Sequence, residues 1–354
     1  MTLQRNYILI VFILLLSLPG CYIYINRLKV TEHMPTIHLI KTMKKINLKN
    51  IKTSYREMFK SKEHKNTKKP VLEKLNFGFN NINCSYIGVQ YFRSRLGNIM
   101  FQYASTFGIA RENNLCVLMP ESVPRKSIDF RSYFHLSAIP TNTGLPIASQ
   151  SVSLKKGCCI FQNSYMQLNN TRNYTLSGGL QSYKYFNNVQ NEIRKEFKFS
   201  KTVDEAANIF LRNATPNLNT TLVGIHIRRG DFLKHEEQGF VVPHVSYFNN
   251  AMKYTQEKFT NVHFIVCSDD IKWCKENIKP TSVTFSESNE AIVDMAILSK
   301  CNHVIMSTGT FGWWAGFLSR GTVIYYKHWP RKGSRLAADV NISDYYLPDW
   351  IPMD

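Results

Sequence analysis

The sequence predicts an α/β protein built on parallel strands, and two observations support this prediction. Short apolar runs alternate with segments of helical periodicity from about Cys84 to the end of the chain. The connections between them have ordinary lengths, as in β-α-β units with right-handed crossovers. With 354 residues, of which 44% are hydrophobic, the chain can fill the cores of two domains, which excludes an intrinsically disordered protein.

The predicted strands and helices follow one another most regularly in the second half of the chain. We expect strands at Leu115–Met119, Thr221–Ile227, Val262–Cys267, Thr281–Phe285, His303–Ser307 and Thr322–Tyr326. We expect helices at Ser246–Phe259, Asp269–Asn277, Glu290–Lys300 and Gly312–Leu318. The polar segment Arg212–Thr220 contains a proline and interrupts this alternation, so it marks the predicted domain boundary.

The first 83 residues are predicted to form a short tail, a membrane anchor and a stalk. Residues 7–25 carry no charge and are long enough to span a bilayer, after a tail of residues 1–6. The alternatives are a cleaved signal peptide and a lipoprotein-like signal ending in Cys21. The uncut anchor is favoured because apolar and aromatic residues continue past any cleavage point. Residues 26–83 are rich in Lys and are interpreted as a solvated stalk.

The excess positive charge lies at the front of the chain. The formal net charge is +19, and residues 1–75 contain 15 Lys and Arg against 4 Asp and Glu. A nucleic-acid-binding protein would carry its basic patch on the folded part, so this distribution argues against nucleic acid as a partner. A literal count of the charges that flank residues 7–25 would leave the folded part in the cytosol, because only Arg5 precedes the segment.

The cysteines and glycosylation sequons bear on the compartment. The eight cysteines include no C-x-x-C pair, which argues against a zinc ribbon or finger, and their pairing does not follow from the sequence. The N-x-[ST] sequons permit a secretory location without proving it. They lie at Asn83, Asn169, Asn173, Asn213, Asn219 and Asn341.

The strongest chemical motif is Val223–Phe232, a strand-like run that ends in Arg228, Arg229, a glycine and Asp231. Parallel sheets bind ligands at the carboxyl ends of their strands. Guanidinium groups suit diphosphates because they are planar, always charged and able to donate two hydrogen bonds at once. The alternatives are a pair of solvated surface arginines or an Arg-Gly-Asp adhesion tripeptide at 229–231.

Two further motifs each place a glycine at the start of a helix. Ser307–Gly312 follows a predicted strand and opens a helix, an arrangement whose backbone N–H groups can bind an anion. It is neither G-x-G-x-x-G nor a Walker loop, and a plain turn is the alternative. In Arg95–Ala104, Gly97 leads into a helix that is predicted to begin near Asn98 as the N-cap.

Together these segments resemble the galactoside α1,2-fucosyltransferases. The matching motifs are RLGN-x-MFQYAS, H-x-RRGD, the SDD-x-x-WC-x-ENI block at Ser268–Ile278, CNHVIMSTGTFGWWAGFL at Cys301–Leu318, and YLPDW at Tyr346–Trp350. They occur in the family's order between about residues 88 and 350. Ile99 replaces the glutamine that is usual in the family, and residues 120–200 match no family pattern.

The resemblance implies an inverting enzyme of GT-B-like fold that moves L-fucose from GDP-β-L-fucose to a sugar hydroxyl, the 2-OH of a galactoside on a glycoprotein, glycolipid or oligosaccharide. Neither a cofactor nor a divalent metal would be required. Two Rossmann-like domains would face a cleft, with the acceptor-side domain at 84–214, the GDP-fucose-binding domain at 219–335 and a tail at 336–354 packing back. The family is a single-pass type II Golgi membrane protein with a lumenal catalytic region, which overrides the charge count.

The resemblance also assigns roles to individual residues. The H-x-RR motif is similar to that of the core α1,6-fucosyltransferases, which implies that Arg228 meets the β-phosphate, that His226 lies near the nucleotide and that Asp294 binds guanosine. Arg229 is counted among the donor-binding residues, and Gly97 and Asn98 form the N-terminal motif. The phosphate-binding turn would consist of Ser307, Thr308, Gly309 and Thr310.

The sequence leaves alternatives open for the identity of the catalytic base and for the class of protein. Asp231 is the first candidate to deprotonate the acceptor and Glu236 the second, with His235 and Glu237 also within reach in sequence. Asp231 can equally pair with an arginine and orient it, and an oxocarbenium-like transition state would need little help from a base. The alternative class is a membrane-anchored lectin without turnover, which would bind glycan equally well with or without GDP.

Overall fold

The computed structural model describes residues 84–89, 95–120, 130–141, 150–153, 157–215, 217, 219–288 and 290–354. The predicted tail, anchor and stalk up to residue 83, including the sequon at Asn83, lie outside these residues. Phe79–Asp354 forms one compact unit. Within the described part of this unit, no helix is both long enough and apolar enough to cross a membrane.

The first half of the unit is built around a parallel sheet. Its described strands are β1 (Tyr86–Val89), β2 (Cys116–Pro120), β3 (Ile139–Thr141), β4 (Gln150–Ser153) and β5 (Tyr174–Ser177). They lie in the order β3-β2-β1-β5-β4, and Ile87 of the central strand pairs with Val117 on one side and Tyr174 on the other. Every residue of β1 is buried, as expected of a strand that is covered on both faces.

Four helices lie in this half of the chain in the described residues, and the last of them packs against the second half. They are α1 (Leu96–Glu112), α2 (Phe130–Tyr133), α3 (Gln190–Glu196) and α4 (Lys201–Ala214), with 3₁₀ turns at Asn163–Met166 and Tyr183–Val189. Helix α1 is buried along nearly its whole length. Helix α4 runs to Ala214, so the predicted break at Arg212–Thr220 begins later than expected. The predicted domain boundaries themselves stay a prediction.

The second half contains a parallel sheet of six described strands. They are β6 (Thr221–Ile227), β7 (Val262–Ser268), β8 (Val283–Phe285), β9 (His303–Met306), β10 (Val323–Tyr326) and β11 (Ile351–Met353). The helices are α5 (Val245–Lys258), α6 (Ile271–Asn277), α7 (Ala291–Ser299), α8 (Thr310–Ser319), α9 (Arg335–Ala338) and α10 (Ile342–Tyr345), with 3₁₀ turns at Phe232–Lys234 and Glu236–Gln238. The strands and helices predicted between residues 221 and 326 are confirmed to within two residues.

The strand order of this sheet reverses at β6. The order is β11-β10-β9-β6-β7-β8, so the chain first winds outward through β7 and β8 and then returns to β9 on the other side of β6. All of these neighbours are parallel, with His226 of β6 in register with Cys267 and with Met306. A sheet of this topology binds ligands beyond the carboxyl ends of its strands, at the reversal. That point lies where β6 and β9 end.

A cluster of buried aromatic rings connects the two halves. The rings of Phe101 in α1 and Trp313 in α8 lie 4.5 Å apart, and those of Phe101 and Trp314 lie 5.0 Å apart. Both tryptophans are fully buried, so they serve as core residues. The indole N–H of Trp314 donates to the carbonyl of Gly97 at 2.9 Å, which fixes the start of α1 against α8.

The start of α1 differs from the prediction in its N-cap. The helix begins at Leu96 with Arg95 as the N-cap residue, so Asn98 lies inside the first turn. Its side-chain oxygen instead accepts a hydrogen bond from the hydroxyl of Thr310 at 2.6 Å. A tertiary partner has replaced the local capping interaction, and the sequence pattern alone gives no sign of that partner.

The cysteines and the sequons take defined places in the described residues. Disulfides join Cys84 to Cys116 and Cys158 to Cys159, while Cys267, Cys274 and Cys301 are free and buried. The sequon asparagines at 169, 213, 219 and 341 are exposed, and Asn173 is half-buried, with its side-chain oxygen accepting from the backbone N–H of Tyr86 at 3.0 Å. Occupancy of the sequons stays a prediction.

Substitution of Gly97 by Ala is expected to destabilise the protein. A Cβ atom at this position would lie 2.7 Å from the backbone carbon of Thr310, and backbone cannot move aside as a side-chain end can. We expect the free energy of unfolding to fall by about 1–3 kcal/mol in urea denaturation. Glu112→Ala, at an exposed position of the same helix, is the control and should change it by less than about 0.5 kcal/mol. Equal effects of the two substitutions would contradict the close-contact argument.

Candidate active site

A cavity of about 760 Å³ lies at the reversal point of the second sheet. Its wall includes His226 and Arg228 at the end of β6 and the turn Thr308–Thr310 that follows β9. The start of α1 and the segment from Trp329 to Tyr345 supply further parts of the wall. The sequence motifs that are far apart along the chain therefore meet around one space.

Arg228 is held from several sides at this cavity. Its guanidinium forms an ion pair with Asp269, Nη1 to Oδ2 at 3.0 Å, and a second ion pair with Asp231. Its backbone N–H donates to the hydroxyl of Ser307 at 2.8 Å. Because the side chain is 20% exposed and doubly paired, the guanidinium has a fixed orientation before any ligand binds.

Asp231 uses both of its carboxylate oxygens in ion pairs. Oδ1 contacts Arg228, and Oδ2 lies 3.1 Å from Nη2 of Arg95. Arg95 precedes helix α1, so this carboxylate links the two halves of the unit. A carboxylate with both oxygens in ion pairs is held in one orientation and holds its arginine partners in turn. The geometry therefore favours an orienting role for Asp231.

Arg229 points away from the cavity that contains Arg228. Its Nε lies 3.3 Å from Oδ2 of Asp270, and its guanidinium carbon lies 3.9 Å from the ring centroid of Trp273. Arg229 and Glu236 line a separate pocket of about 360 Å³. Successive side chains along an extended segment point to opposite sides, which explains why the two adjacent arginines diverge. The structure thus does not bring Glu236 into the cavity wall beside Arg228.

His226 is buried at the end of β6, with 5% of its surface exposed. Burial lowers its pKa to about 4, although the nearby Asp269 acts in the opposite direction. Its Nδ1 lies 3.5 Å from the hydroxyl oxygen of Ser307, and its ring stacks on Phe311 at 5.0 Å. At neutral pH the ring is therefore an uncharged hydrogen-bonding group on the cavity wall.

The hydroxyl groups of the turn after β9 are engaged in hydrogen bonds within the protein. Ser307 and Thr308 are fully buried, and the hydroxyl of Thr308 donates to the carbonyl of Val241 at 2.9 Å. Gly309 adopts a φ of +92°, a conformation that side chains disfavour, and it is the N-cap residue of α8. An anion at this turn would meet the backbone N–H groups and the positive end of the helix dipole.

Asp294 lies one turn into α7, is half-buried and does not line the cavity. Its Oδ1 accepts hydrogen bonds from Ser286 at 2.6 Å and from Ser288 at 2.7 Å. Burial raises its pKa, and these hydrogen bonds oppose the rise. The residues of this region that line the cavity are Glu290, Ala291 and Ile292, and burial raises the pKa of the Glu290 carboxyl as well.

Several residues of the site were not singled out from the sequence. Asp269 and Arg95 lie inside motifs that are visible in the sequence, and those motifs could have indicated that both residues belong to the site. Glu290, Trp329 and the Cys158–Cys159 disulfide also line the cavity, and no sequence pattern marks them. The part of the chain that the structure describes contains no cluster of three or more His, Cys, Asp or Glu side chains that would hold a metal ion. Metal independence stays a prediction.

Comparisons with known proteins identify relatives of this chain. The family model described as glycosyl transferase family 11 matches residues 88–354. The galactoside alpha-(1,2)-fucosyltransferase 2 of Mus musculus is 30% identical over 272 residues, which cover 73% of this chain and 77% of that protein. The galactoside alpha-(1,2)-fucosyltransferase 1 of Homo sapiens is 28% identical over 275 residues, which cover 74% of this chain and 73% of that protein.

Solved structures of two fucosyltransferases show partial likeness. A structure of the NodZ alpha-1,6-fucosyltransferase soaked with GDP-fucose aligns with a TM-score of 0.47 at 12% identity, covering 68% of this chain and 95% of that one. A structure of POFUT1 in complex with GDP aligns with a TM-score of 0.46 at 12% identity, covering 71% of this chain and 96% of that one.

The burial of His226 predicts a pH dependence of stability. The folded pKa of about 4 lies below the ordinary value of 6.5, so the unfolded chain binds this proton more readily. The free energy of unfolding should therefore decrease as pH falls from about 6.5 to about 4, with about 3 kcal/mol attributable to this group. Urea unfolding at a series of pH values measures the decrease, and a His226→Gln variant should show a shallower one. An NMR titration of the folded protein that places His226 near pH 6.5 would contradict the prediction.

Proposed function

Since the chain belongs to glycosyl transferase family 11, it is a glycosyltransferase, and we propose that it transfers L-fucose from GDP-β-L-fucose to the 2-hydroxyl of a galactoside with inversion. The relatives named as galactoside fucosyltransferases support the acceptor class. The cavity of about 760 Å³ lies at the reversal of the second sheet, which is where sheets of this topology bind ligands.

The observation that carries this proposal is the fixed guanidinium of Arg228 beside the N-terminus of α8. Fucose transfer leaves negative charge on the departing GDP, and preorganised donors aimed at that charge lower the barrier. Asp269 and Asp231 hold Arg228 in place, and the turn at Gly309 adds backbone N–H groups. These groups supply the charge compensation that a divalent metal gives in other transferases, which supports metal-independent transfer.

The donor-binding roles then divide among the residues of this wall. Arg228 contacts the β-phosphate, and neutral His226 offers a hydrogen bond near the nucleotide without adding charge. The Gly309–Thr310 turn binds phosphate oxygens through its backbone. The assignment of Asp294 to guanine rests on the family resemblance, since this half-buried carboxylate is hydrogen-bonded to two serines and does not line the cavity.

A Golgi location with a lumenal catalytic region is part of the same proposal. Residues 7–25 would be the signal anchor and residues 26–83 the stalk of a type II protein. The Cys84–Cys116 disulfide is supporting evidence, because disulfides persist in the oxidising secretory compartments. The exposed sequons are compatible with this location.

Turnover by the full-length chain in detergent tests the proposed function. The chain is incubated with GDP-fucose and a panel of β-galactoside and xyloside acceptors, and the fucosylated products are identified by mass spectrometry and NMR. We expect an α1,2 linkage on a galactoside and no loss of rate after chelation of divalent ions. Glycan binding that is equal with and without GDP, without any product, would instead indicate a lectin.

Replacement of Arg228 by Lys is expected to reduce turnover strongly. Lysine keeps the charge but loses the planar fork that pairs with Asp269 and faces the diphosphate. Loss of such a preorganised donor typically costs about 3 kcal/mol, or more than a hundredfold in kcat. Arg172→Lys, at an exposed position outside the cavity, is the control and should keep the normal rate. An Arg228→Lys enzyme with normal turnover and intact folding would refute the role.

The pH profile of turnover tests the two candidate bases. Asp231 lines the cavity, but both of its oxygens are in ion pairs with arginines, and Glu236 lines the separate pocket, so we expect neither to take the acceptor proton. We expect Asp231→Asn to lower kcat, because Arg228 loses its brace, and Glu236→Gln to leave kcat nearly unchanged. Both variants should keep the acidic limb of the profile. Disappearance of that limb in either variant would identify the base.

A further inference from the structure

The Cys158–Cys159 disulfide lines the large cavity, and none of the donor-binding roles involves it. The two cysteines are adjacent in sequence, so the bond closes a tight ring within the backbone and presents two sulfur atoms side by side. Cys159 is buried and Cys158 is half-buried. Both lie in the region between residues 120 and 200, where no family pattern is visible.

Hydrogen bonds from two other segments fix the position of this disulfide. The backbone N–H of Gln181 donates to the carbonyl of Cys158 at 2.9 Å. The backbone N–H of Cys159 donates to the carbonyl of Asp339 at 3.1 Å, and the N–H of Asn341 donates back to the carbonyl of Cys159 at 3.1 Å. The disulfide is therefore a rigid part of the cavity wall, held between the first half of the unit and the C-terminal segment.

The neighbours of the disulfide give this part of the cavity wall a mostly apolar surface. Trp329, Leu336, Tyr345 and Gln181 line the same cavity. The indole N–H of Trp329 and the hydroxyl of Tyr345 are buried and have no hydrogen-bond partner in the part of the chain that is described. Because both polar atoms are inaccessible, the contribution of these two residues to the cavity wall is apolar.

We propose that the Cys158–Cys159 disulfide is the apolar floor of the acceptor subsite, on which one C–H face of the acceptor galactoside rests. Polarizable sulfur packs well against such a surface, as thioether sulfur does against rings. Gln181, which is half-buried, lies beside the floor and provides a polar contact of the kind that orients a ligand in a mostly apolar site. This inference rests on the proposed function.

The elements that supply each part of the cavity wall indicate which part binds the donor and which part binds the acceptor. Arg228 and the Gly309 turn, which suit the diphosphate, come from the ends of β6 and β9. The disulfide and Gln181 come from the first half of the unit, and Trp329 comes from the C-terminal segment. None of these groups carries a charge, so this part of the wall suits a neutral sugar. Arg95, which also comes from the first half and lines the cavity, is paired with Asp231.

The test compares removal of this disulfide with removal of the other one. Cys158→Ala/Cys159→Ala should raise the KM for the galactoside about tenfold, equivalent to about 1.4 kcal/mol, and leave the KM for GDP-fucose within about twofold. Cys84→Ala/Cys116→Ala removes a disulfide that does not line the cavity and should leave both KM values unchanged. An unchanged KM for the galactoside, or a parallel rise in both values, would overturn the proposal.

Reduction of the folded protein provides a second measurement if the double variant loses its cooperative unfolding transition. A phosphine reductant is applied to the Cys84→Ala/Cys116→Ala variant, and alkylation with mass spectrometry verifies that both remaining disulfide cysteines have been reduced. The KM for the galactoside should rise about tenfold, and reoxidation should restore it. An unchanged KM after verified reduction, or a disulfide that the reductant cannot reach, would overturn the proposal. Absence of any fucose transfer by the unmodified chain would refute the proposed function itself. Transfer with an unchanged KM for the galactoside would refute only this inference.

Discussion

The contact between the start of α1 and the start of α8 fixes the position of the first half of the compact unit relative to the second half. Gly97 has no side chain, so its backbone lies directly against Thr310, and the indole of Trp314 donates to its carbonyl. Thr310 in turn donates to Asn98. A short, dry contact of this kind permits little sliding, because packed interiors are dense. Arg95, which immediately precedes α1, is thereby placed within reach of Asp231.

The ion pairs of the site depend on this contact between the starts of α1 and α8. Asp269 uses one carboxylate oxygen for the guanidinium of Arg228 and the other for the backbone N–H of Arg229, and Asp231 connects Arg228 to Arg95. A Cβ on Gly230 would meet Asp269 at 2.4 Å, which explains the glycine between the arginines and the aspartate. In this network the carboxylates serve to orient the guanidinium groups. Its chemical value lies in presenting one guanidinium in a fixed position to a developing negative charge.

The C-terminal segment closes the cavity and is itself anchored to both halves. Trp313 donates from its indole to the carbonyl of Tyr345 at 2.8 Å, and Ser182 donates to the carbonyl of Asp344 at 2.7 Å. Lys184 forms an ion pair with the carboxylate of Asp344, which is nearly buried. Strand β11 then adds to the edge of the second sheet beside β10. The C-terminal segment thus contributes both to the cavity wall and to the hydrophobic core.

The sequence by itself determined the parallel second sheet, the motif at the end of β6 and the family, because apolar runs of Val and Ile are buried wherever they occur and the motifs are contiguous. It gave little sign of β3, β4 and β5, since a strand such as Gln150–Ser153 has no apolar pattern and exists only through its pairing with β5. Only the tertiary structure decided that Arg228 faces the cavity while Arg229 faces away, that Asn98 bonds Thr310 instead of capping its helix, and that two cysteines form part of a wall. The physical reason is the same in each case: these choices depend on partners that are distant in sequence, and a local pattern contains no information about them.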